Sequence, residues 1–378
     1  MAKHLFKELE RSYGFDEVAI VPGEVTINPE MTTTEMRIGN CTFEAPMMAS
    51  AMDGTVSPRF AVLMHEMGGL GVLNAEGLYV RYEDPYSVLE EITSMPQSEV
   101  TQHLQQVYSE PIKENLIGQR VQEIKRSGAT CAVSFTPQNT KRLAPLAVEA
   151  GSDLIFVQST VTTARHESRS YRGLVFGELI ENLKVPVVVG NCVSYQVALE
   201  LMENGVDGIL VGVGPGAACT TREVLGIGVP QVTAIADVAG ARDAYLERTG
   251  RYVPVVADGG MRRGGEVAKA IAAGADVVML GSPLARAEEA PGRGLNWGMA
   301  APSPVLPRGT RIKVGTVGSL EKILFGPATV TDGSQNLMGA LRQSMAALGA
   351  RTIREMQDVE IVYAPSVASE GKSWQQGR

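Results

Sequence analysis

One of the four cysteines follows a compact run of glycine and proline. The Gly-Pro-Gly run at 214–216 comes just before Cys219, and hydroxyl side chains follow at Thr220 and Thr221. Thiol reactivity depends on the thiolate fraction and on access, so a thiol on a glycine-rich loop suits a covalent nucleophile. A small buried side chain that closes a turn is the other usual role of a free cysteine. The segment by itself fits both roles about equally.

Two further segments carry groups that suit a nucleotide. Asp258 precedes Gly259 and Gly260, so its carboxylate can accept hydrogen bonds from a ribose diol while the glycines let a ligand approach the backbone. Gly281 and Ser282 offer backbone amides of the kind that bind phosphate. Together they predict a nucleoside monophosphate site. Each segment taken singly also fits a structural role, in which Asp258 caps a helix and the glycines turn the chain.

These segments follow short apolar runs, which are the elements that must position them. Continuous runs of Val, Ile, Leu and Met fit strands buried on both faces, as in a parallel sheet covered by helices. We expect strands at 46–49, 70–73, 131–135, 154–157, 187–190, 209–212, 253–257 and 277–280, and helices at 58–67, 113–126, 138–149, 175–183, 197–204, 234–247 and 264–273. The alternation predicts an α/β fold, a closed (β/α)8 TIM barrel whose catalytic loops follow the C-terminal ends of the strands.

The chain is expected to form one barrel domain. This domain covers residues 1–364, and a tail at 365–378, rich in Ser, Gly, Lys and Gln, is expected to be mobile. The charged stretch at 81–114 is expected to form solvated helices and connections rather than a second domain. Asn191 and Cys192 are expected in the loop after the fifth strand.

Composition and spacing argue against several classes of protein. A net charge of -8, from 42 acidic and 34 basic residues, gives no general attraction for nucleic acid or an anionic membrane surface. No window reaches the ~18 apolar residues that a membrane span needs, so we expect a cytoplasmic protein. The cysteines have no CxxC spacing, the four histidines have no metal-ligand spacing, and no GxGxxG stands between a strand and a helix. Disulfide frameworks, His or Cys metal sites and a Rossmann domain are therefore not indicated.

Six segments resemble IMP dehydrogenase and its sister enzyme GMP reductase. They are ASAMDGTV (49–56), GGLGVL (68–73), VGVGPGAACTT (211–221), ADGGMRRGGEVAKAIAAGADVVMLGSPLARA (257–287), EEAPG (288–292) and LRQSMAALGARTIREM (341–356). The similarity runs from about residue 14 to 365 with a gap at about 80–118, where these dehydrogenases usually carry an inserted pair of CBS modules. The chain is identified as a member of the CBS-lacking, IMP dehydrogenase-related subfamily.

The resemblance implies roles for individual residues. Cys219 would attack C2 of the purine, Thr221 would help to activate water, and Asn191 would orient the covalent thioimidate. Arg308 aligns with a Glu or Gln of the family, and we expect it either to serve hydrolysis or to be a surface residue that opens a strand at 308–314. The implied substrate-binding residues are Ser50, Met52, Asp258, Gly259, Gly260, Gly281, Ser282, Met299 and Ala300.

The resemblance also implies what the protein binds. A purine nucleotide would be the substrate, and NAD, or NADP for a reductase, would lie beside Gln158, Ser159 and Thr160. A monovalent cation, K⁺, would be held by the carbonyl groups of Gly214, Gly216 and Cys219. Relatives of this type imply a homotetramer or octamer.

Departures from the family pattern leave three functions open. Ala217 replaces a serine that contacts phosphate, and Gln158 replaces an aspartate of the dehydrogenases. Only 301–306 separate Gly298-Met299 from 307–309, so the catalytic flap is short. The EEAPG segment favours IMP dehydrogenase, which oxidises IMP to XMP with NAD. The short flap favours GMP reductase, which converts GMP to IMP and ammonia with NADPH. The third function is a nucleotide-binding regulatory relative without turnover, against which Cys219 and Thr221 both argue.

Overall fold

The computed structural model describes residues 9–167, 173–298 and 310–365. The strands of these residues are β1 (Val18–Ile20), β2 (Met36–Ile38), β3 (Cys41–Phe43), β4 (Met47–Ala49), β5 (Leu70–Asn74), β6 (Ala132–Phe135), β7 (Leu154–Gln158), β8 (Val187–Cys192), β9 (Gly208–Val211), β10 (Val255–Asp258), β11 (Val277–Leu280), β12 (Leu295–Trp297), β13 (Arg311–Lys313) and β14 (Ile361–Tyr363). Their helices are α1 (Pro58–Glu66), α2 (Pro85–Ser94), α3 (Val100–Val107), α4 (Glu114–Lys125), α5 (Pro137–Glu149), α6 (Phe176–Leu183), α7 (Tyr195–Glu203), α8 (Thr221–Leu225), α9 (Gln231–Thr249), α10 (Gly264–Ala272), α11 (Ser282–Ala285), α12 (Leu320–Phe325), α13 (Leu337–Leu348) and α14 (Ile353–Gln357).

Eight parallel strands, β4 to β11, close into a barrel. Each strand pairs with the next in chain order, and β11 pairs with β4 to complete the ring, with Leu280 opposite Ala49. Helices lie between successive strands. The predicted TIM barrel is therefore confirmed, and every predicted strand agrees with an observed barrel strand to within two residues at each end.

Helix ends follow the local sequence. Ser57 accepts a hydrogen bond from the amide of Phe60 and Pro58 is the first residue of α1, an arrangement that satisfies free amides at a helix start. Gly250 ends α9 at φ 72° and Gly349 ends α13 at φ 73°, in the left-handed region that favours glycine. These cues explain why most predicted helices were placed correctly from sequence.

The end of β8 differs from the prediction. This strand continues to Cys192, so Asn191 lies in the strand and not in the loop after it. The pairing of β8 with β9 shifts between Gly190 and Cys192. A Cβ atom at residue 190 would lie 2.4 Å from the Leu210 carbonyl oxygen, so only glycine allows the two strands to approach this closely.

The charged stretch at 81–114 is helical, but it is not fully solvated. It contains α2 and α3, and Leu89, Ile92, Val100 and Val107 are buried. The inner faces of both helices therefore pack into the protein, while the acidic side chains of Glu90 and Glu91 in α2 remain exposed. The charge of the stretch concealed this apolar face at the sequence level.

A hairpin fills the N-terminal end of the barrel. Strands β2 and β3 pair antiparallel, and Met36, Ile38 and Phe43 are buried against the side chains inside the barrel. The interior side chains are Met48, Leu70, Val72, Ala132, Leu154, Phe156, Val188, Leu210, Val256, Val277 and Met279. Because this end is filled, the opposite ends of the strands, here called the barrel mouth, are where a ligand can enter.

Three other features bear on function. The four cysteines are free thiols. Within 9–167, 173–298 and 310–365, no group of three or more His, Cys, Asp and Glu side chains is arranged to hold a metal ion. No helix in that part of the chain has the length and apolar character needed to cross a bilayer.

Candidate active site

Cys219 lies on the loop between β9 and α8, at the barrel mouth. Its Sγ donates to Thr221 Oγ1 at 3.2 Å, and its backbone amide donates to the Gly216 carbonyl at 3.0 Å. The amide contact closes a turn, and the side chain of Cys219 remains partly exposed while Thr221 is only 3% exposed. The thiol is thus held against a buried hydroxyl group with one side open.

The other three thiols are poor candidates for a nucleophile. Burial raises the pKa of Cys41 to about 11, and it raises the pKa values of Cys131 and Cys192 to about 12. A thiol with so high a pKa is almost entirely protonated near neutral pH, whereas the thiolate is the reactive form. The structure therefore favours Cys219 over its three counterparts.

Arg222 fixes the start of the Cys219 loop. Its Nε donates to the Val213 carbonyl at 3.2 Å, and its Nη2 donates to the Val229 carbonyl at 2.7 Å. Gly214 has φ 76°, and a Cβ atom there would lie 2.6 Å from Arg222 Cγ. Glycine is required at this position because the arginine side chain packs directly on the backbone.

Asp258, the last residue of β10, meets Asn191 across the mouth. Asn191 Nδ2 donates to Asp258 Oδ2 at 2.8 Å. Burial raises the pKa of Asp258 to about 6, against the lowering effect of that hydrogen bond. Asp258 as a whole residue is partly exposed, although its carboxyl group is deeply buried.

The loop after β10 packs on the Cys219 loop. Gly259 and Gly260 have φ 83° and 84°, and Cβ atoms there would lie 3.4 Å and 3.1 Å from side-chain atoms of Pro215. This close approach brings the predicted ribose and phosphate residues next to the predicted nucleophile.

Gln231 joins the same two loops and was missed from sequence. Its Nε2 donates to the Val211 carbonyl at 2.8 Å and to the Asp258 carbonyl at 3.2 Å. Gln231 is buried at the start of α9. No local signal distinguishes this glutamine from any other first residue of a helix, because both of its acceptors are remote in sequence.

Ser50, Met52, Gly281 and Ser282 come together on the other side of the mouth. A Cβ atom at Gly281 would lie 2.9 Å from Met52 Sδ and 3.6 Å from Ser50 Oγ. Asn296, which sequence reasoning also missed, donates from Nδ2 to Ser282 Oγ at 3.4 Å and lies 3.8 Å from Met52 Sδ. The loops after β4 and β11 therefore form one continuous wall.

Gln158, predicted to face a dinucleotide, turns inward. Its Oε1 accepts from Ser134 Oγ at 2.8 Å, its Nε2 lies 3.8 Å from Met279 Sδ, and it is 7% exposed. Ser159 follows with its Oγ donating to the Val161 carbonyl at 2.8 Å, and Thr160 is next along the chain. The backbone of Ser159 also bonds to β8, since its carbonyl accepts from the Asn191 amide at 3.1 Å.

Comparison with known proteins decides the family. The family described as "IMP dehydrogenase / GMP reductase domain" matches residues 12–299. The chain belongs to this family. An uncharacterized oxidoreductase of Mycolicibacterium smegmatis is 42% identical over 358 residues, which cover 92% of this chain and 96% of that protein.

Two further relatives support the assignment to the IMP dehydrogenase / GMP reductase family. Inosine-5'-monophosphate dehydrogenase of Cryptosporidium parvum is 29% identical over 397 residues, covering 93% of this chain and 91% of that one. The crystal structure of an IMP dehydrogenase/GMP reductase-like protein from Corynebacterium glutamicum has a TM-score of 0.89 and 38% identity, covering 94% of this chain and 95% of that chain.

Three residues implied by the family resemblance lie outside the described residues. They are Met299, Ala300 and Arg308. Residues 366–378, nearly all of the expected tail, also lie outside the described residues. Of the strand expected at 308–314, β13 forms the part at Arg311–Lys313, which pairs antiparallel with β12 and places Arg311 opposite Trp297.

Proposed function

We propose that the protein is an IMP dehydrogenase that oxidises IMP to XMP with NAD, using Cys219 as its nucleophile, in guanine nucleotide synthesis. The observation that carries the proposal is the partly exposed Cys219 thiol, 3.2 Å from Thr221 Oγ1, on a loop packed against the loop of Asp258. A thiol, a hydroxyl group and a carboxyl group at one barrel mouth are what covalent chemistry on a nucleotide requires.

The nucleotide is proposed to bind across the two walls of the mouth. The carboxylate of Asp258, oriented by Asn191, would accept hydrogen bonds from the ribose hydroxyl groups. The phosphate would lie on the backbone of the loops after β10 and β11, where Gly260 and Gly281 have no Cβ atom to hinder its approach. The Gly259 amide already donates to the Met279 carbonyl at 3.1 Å. Residues proposed to contact the nucleotide are Ser50, Met52, Asp258, Gly259, Gly260, Gly281, Ser282, Met299 and Ala300.

The reaction is proposed to proceed in two halves. In the first, the Cys219 thiolate forms a carbon–sulfur bond to C2 of IMP, its proton having passed to solvent, and a hydride leaves C2. NAD supplies the acceptor for that hydride. In the second half, water attacks C2, the carbon–sulfur bond breaks, and Cys219 is regenerated as XMP leaves. Thr221 Oγ1, which accepts from the thiol, is proposed to help activate the incoming water.

The neighbouring chain fits NAD. Residues 158–164 contain hydroxyl groups and no charged side chain. The next residue, Arg165, is paired with Glu200, which supports NAD over a cofactor with an additional ribose phosphate. Ser159 and Thr160 are proposed to contact the dinucleotide, and Gln158 to support them from inside the barrel.

The Cys219 loop fits a monovalent cation. The carbonyl oxygens of Gly214, Gly216 and Cys219 are proposed to hold K⁺, because neutral oxygens are ligands of hard cations. The ion would stabilise the loop that presents the thiol. Family resemblance further suggests a homotetramer.

GMP reductase is the second candidate. Only 301–306 separate the proposed base-contacting residues Met299 and Ala300 from Pro307 and Arg308, which shortens the segment that dehydrogenases use to handle water. Reduction of GMP to IMP and ammonia with NADPH needs no such hydrolysis.

Parallel assays of the purified protein separate the candidates. We expect IMP with NAD to yield reduced nicotinamide and XMP, and Cys219→Ala to abolish this turnover. Cys192→Ala is the matched control, since it removes a buried thiol and should retain activity. Turnover of GMP with NADPH alone would support the reductase, and nucleotide binding without either turnover would identify a regulatory relative. Full activity of Cys219→Ala would exclude the covalent mechanism.

A further inference from the structure

A buried chain of hydrogen bonds joins three distant segments beside the site. Trp297 Nε1 donates to the Tyr108 hydroxyl oxygen at 2.9 Å, and that hydroxyl group lies 2.5 Å from Asp53 Oδ2. Asp53 belongs to the loop after β4, Tyr108 follows α3, and Trp297 ends β12. Asp53 is 1% exposed and did not emerge from the sequence as a functional residue.

The direction of each hydrogen bond follows from the groups involved. An indole N–H can only donate, so Tyr108 must accept from Trp297 and has one proton left to give. That proton points to Asp53 Oδ2, which also accepts from the Leu78 amide at 3.1 Å. The order Trp297 to Tyr108 to Asp53 is therefore imposed by chemistry, and replacing the central hydroxyl group disrupts both bonds.

The charge environment keeps Asp53 sensitive to these donors. Burial raises the pKa of Asp53 to about 6, while the Tyr108 and Leu78 hydrogen bonds and the positive charge of Arg81 lower it. Asp53 Oδ1 is buried without a partner among the described residues. When one oxygen of a buried carboxylate has no partner, the stability of its charged form depends strongly on the donors that bond to the other oxygen.

The same chain of bonds sits against the loop that borders the site. Asp53 immediately follows Met52, and a Cβ atom at Gly54 would lie 2.9 Å from the Trp297 ring. On its other side, Thr55 Oγ1 donates to Asn296 Oδ1 at 3.2 Å. The loop at 50–55 is thus held between α3 and β12.

We propose that Tyr108 is a positioning residue that holds the loop at 50–55 in place through Asp53 and Trp297. This inference rests on the proposed function in one respect. The position of the loop matters for catalysis only if Ser50 and Met52 border the purine, as proposed. Tyr108 itself acts through Asp53 and touches no substrate in this account. The stretch at 81–114 therefore supports the loop at 50–55 from behind and does not line the site itself.

Tyr108→Phe tests the proposal, with Tyr82→Phe as the matched control. The first variant removes one oxygen atom and keeps the ring. Tyr82 lies in the same connection, and its hydroxyl group donates to the Val107 carbonyl at 3.0 Å, next to Tyr108 but away from Asp53. Tyr82→Phe loses one tyrosine hydrogen bond at the end of α3. Tyr108→Phe loses the two bonds to Trp297 and Asp53, and only this variant affects the loop at 50–55.

Hydrogen exchange measured by mass spectrometry reports on the loop without any ligand. The amides of Thr55 and Val56 donate to the Met52 carbonyl at 2.8 Å, so a peptide covering 50–56 is protected. We expect Tyr108→Phe to speed its exchange about tenfold, as for loss of a hydrogen bond to a charged group, and Tyr82→Phe to leave it unchanged. Unchanged exchange in Tyr108→Phe, or an equal rise in both variants, would overturn the proposal.

Steady-state kinetics then separate positioning from mere stability. We expect Tyr108→Phe to raise KM for IMP about tenfold with a smaller change in kcat, while Tyr82→Phe keeps both wild-type values. Wild-type KM in Tyr108→Phe would reject its role at the site even if exchange were faster. A different outcome is that exchange is faster in Tyr108→Phe while the wild-type protein turns over neither IMP nor GMP. That outcome would reject the proposed function and leave the loop contact established.

Discussion

Asp258 should make nucleotide affinity depend on pH. The informative change is Asp258→Asn, because an asparagine side chain keeps the size of the aspartate and an oxygen that can accept from Asn191 Nδ2. It removes only the negative charge and one acceptor oxygen. The end of β10 should therefore keep its shape, and any loss can be assigned to the carboxylate.

The size of the effect follows from the pKa of Asp258 and from the nature of its bonds. Hydrogen bonds to a charged group contribute roughly 1.5–3 kcal/mol, so we expect Asp258→Asn to weaken IMP binding by about ten- to a hundredfold near pH 7.5. Because burial raises the pKa of Asp258 to about 6, roughly one molecule in eleven retains the carboxylate at about pH 5. If only that form accepts from the ribose, wild-type affinity should fall about tenfold between pH 7.5 and about pH 5.

Isothermal calorimetry with IMP across this pH range measures both effects. The phosphate of IMP and the carboxyl group of Asp53 also titrate near pH 6, and both are present in the Asp258→Asn experiment. The pH dependence of the variant is therefore the control, and only the additional dependence of the wild type belongs to Asp258. Two results would refute the assignment of Asp258 to the ribose. One is that Asp258→Asn binds IMP as tightly as the wild type near pH 7.5, and the other is that the affinities of both proteins depend on pH to the same extent.

Three other changes test separate parts of the account. Arg308→Ala should leave the pre-steady-state burst of NADH intact and slow steady-state XMP release if the arginine serves hydrolysis; equal loss of both in stopped-flow assays would assign it to nucleotide binding. Gly54→Ala should lower the free energy of unfolding by about 1–3 kcal/mol in urea titrations, because its Cβ would lie 2.9 Å from the Trp297 ring, and an unchanged midpoint would contradict this packing. Replacing K⁺ by a bulky organic cation should lower turnover if the carbonyls of Gly214 and Gly216 hold the ion, and equal rates in both salts would remove that site.

Much of the fold could be predicted from sequence because its signals are local. Eight continuous apolar runs identify the barrel strands, since a strand buried on both faces needs apolar side chains at every position. Glycines such as Gly250 and caps such as Ser57 mark helix ends within one turn of chain. The candidate pair of Cys219 and Thr221 was also visible from sequence, because the two residues are close neighbours in the chain.

The partners of these residues could not be predicted in the same way. Asn191 contacts Asp258 only because β8 continues past its expected end, and that depends on how closely Gly190 lets β9 approach. Gln158 was expected to lie beside the cofactor, and nothing in the sequence indicated that its side chain bonds to Ser134 on the neighbouring strand. Both outcomes depend on strand register, which no single segment specifies.

The sequence by itself determined the barrel, the candidate nucleophile loop and the family, because each depends on residues close together in the chain or on a resemblance of whole segments. Tertiary structure decided which thiols are closed off, since burial raises the pKa of Cys131 and of Cys192 to about 12. It also decided that Tyr108, from a stretch marked only by its charge, meets Asp53. Burial and long-range hydrogen bonds exist only after the chain has closed on itself, which is why the sequence alone could not reveal them.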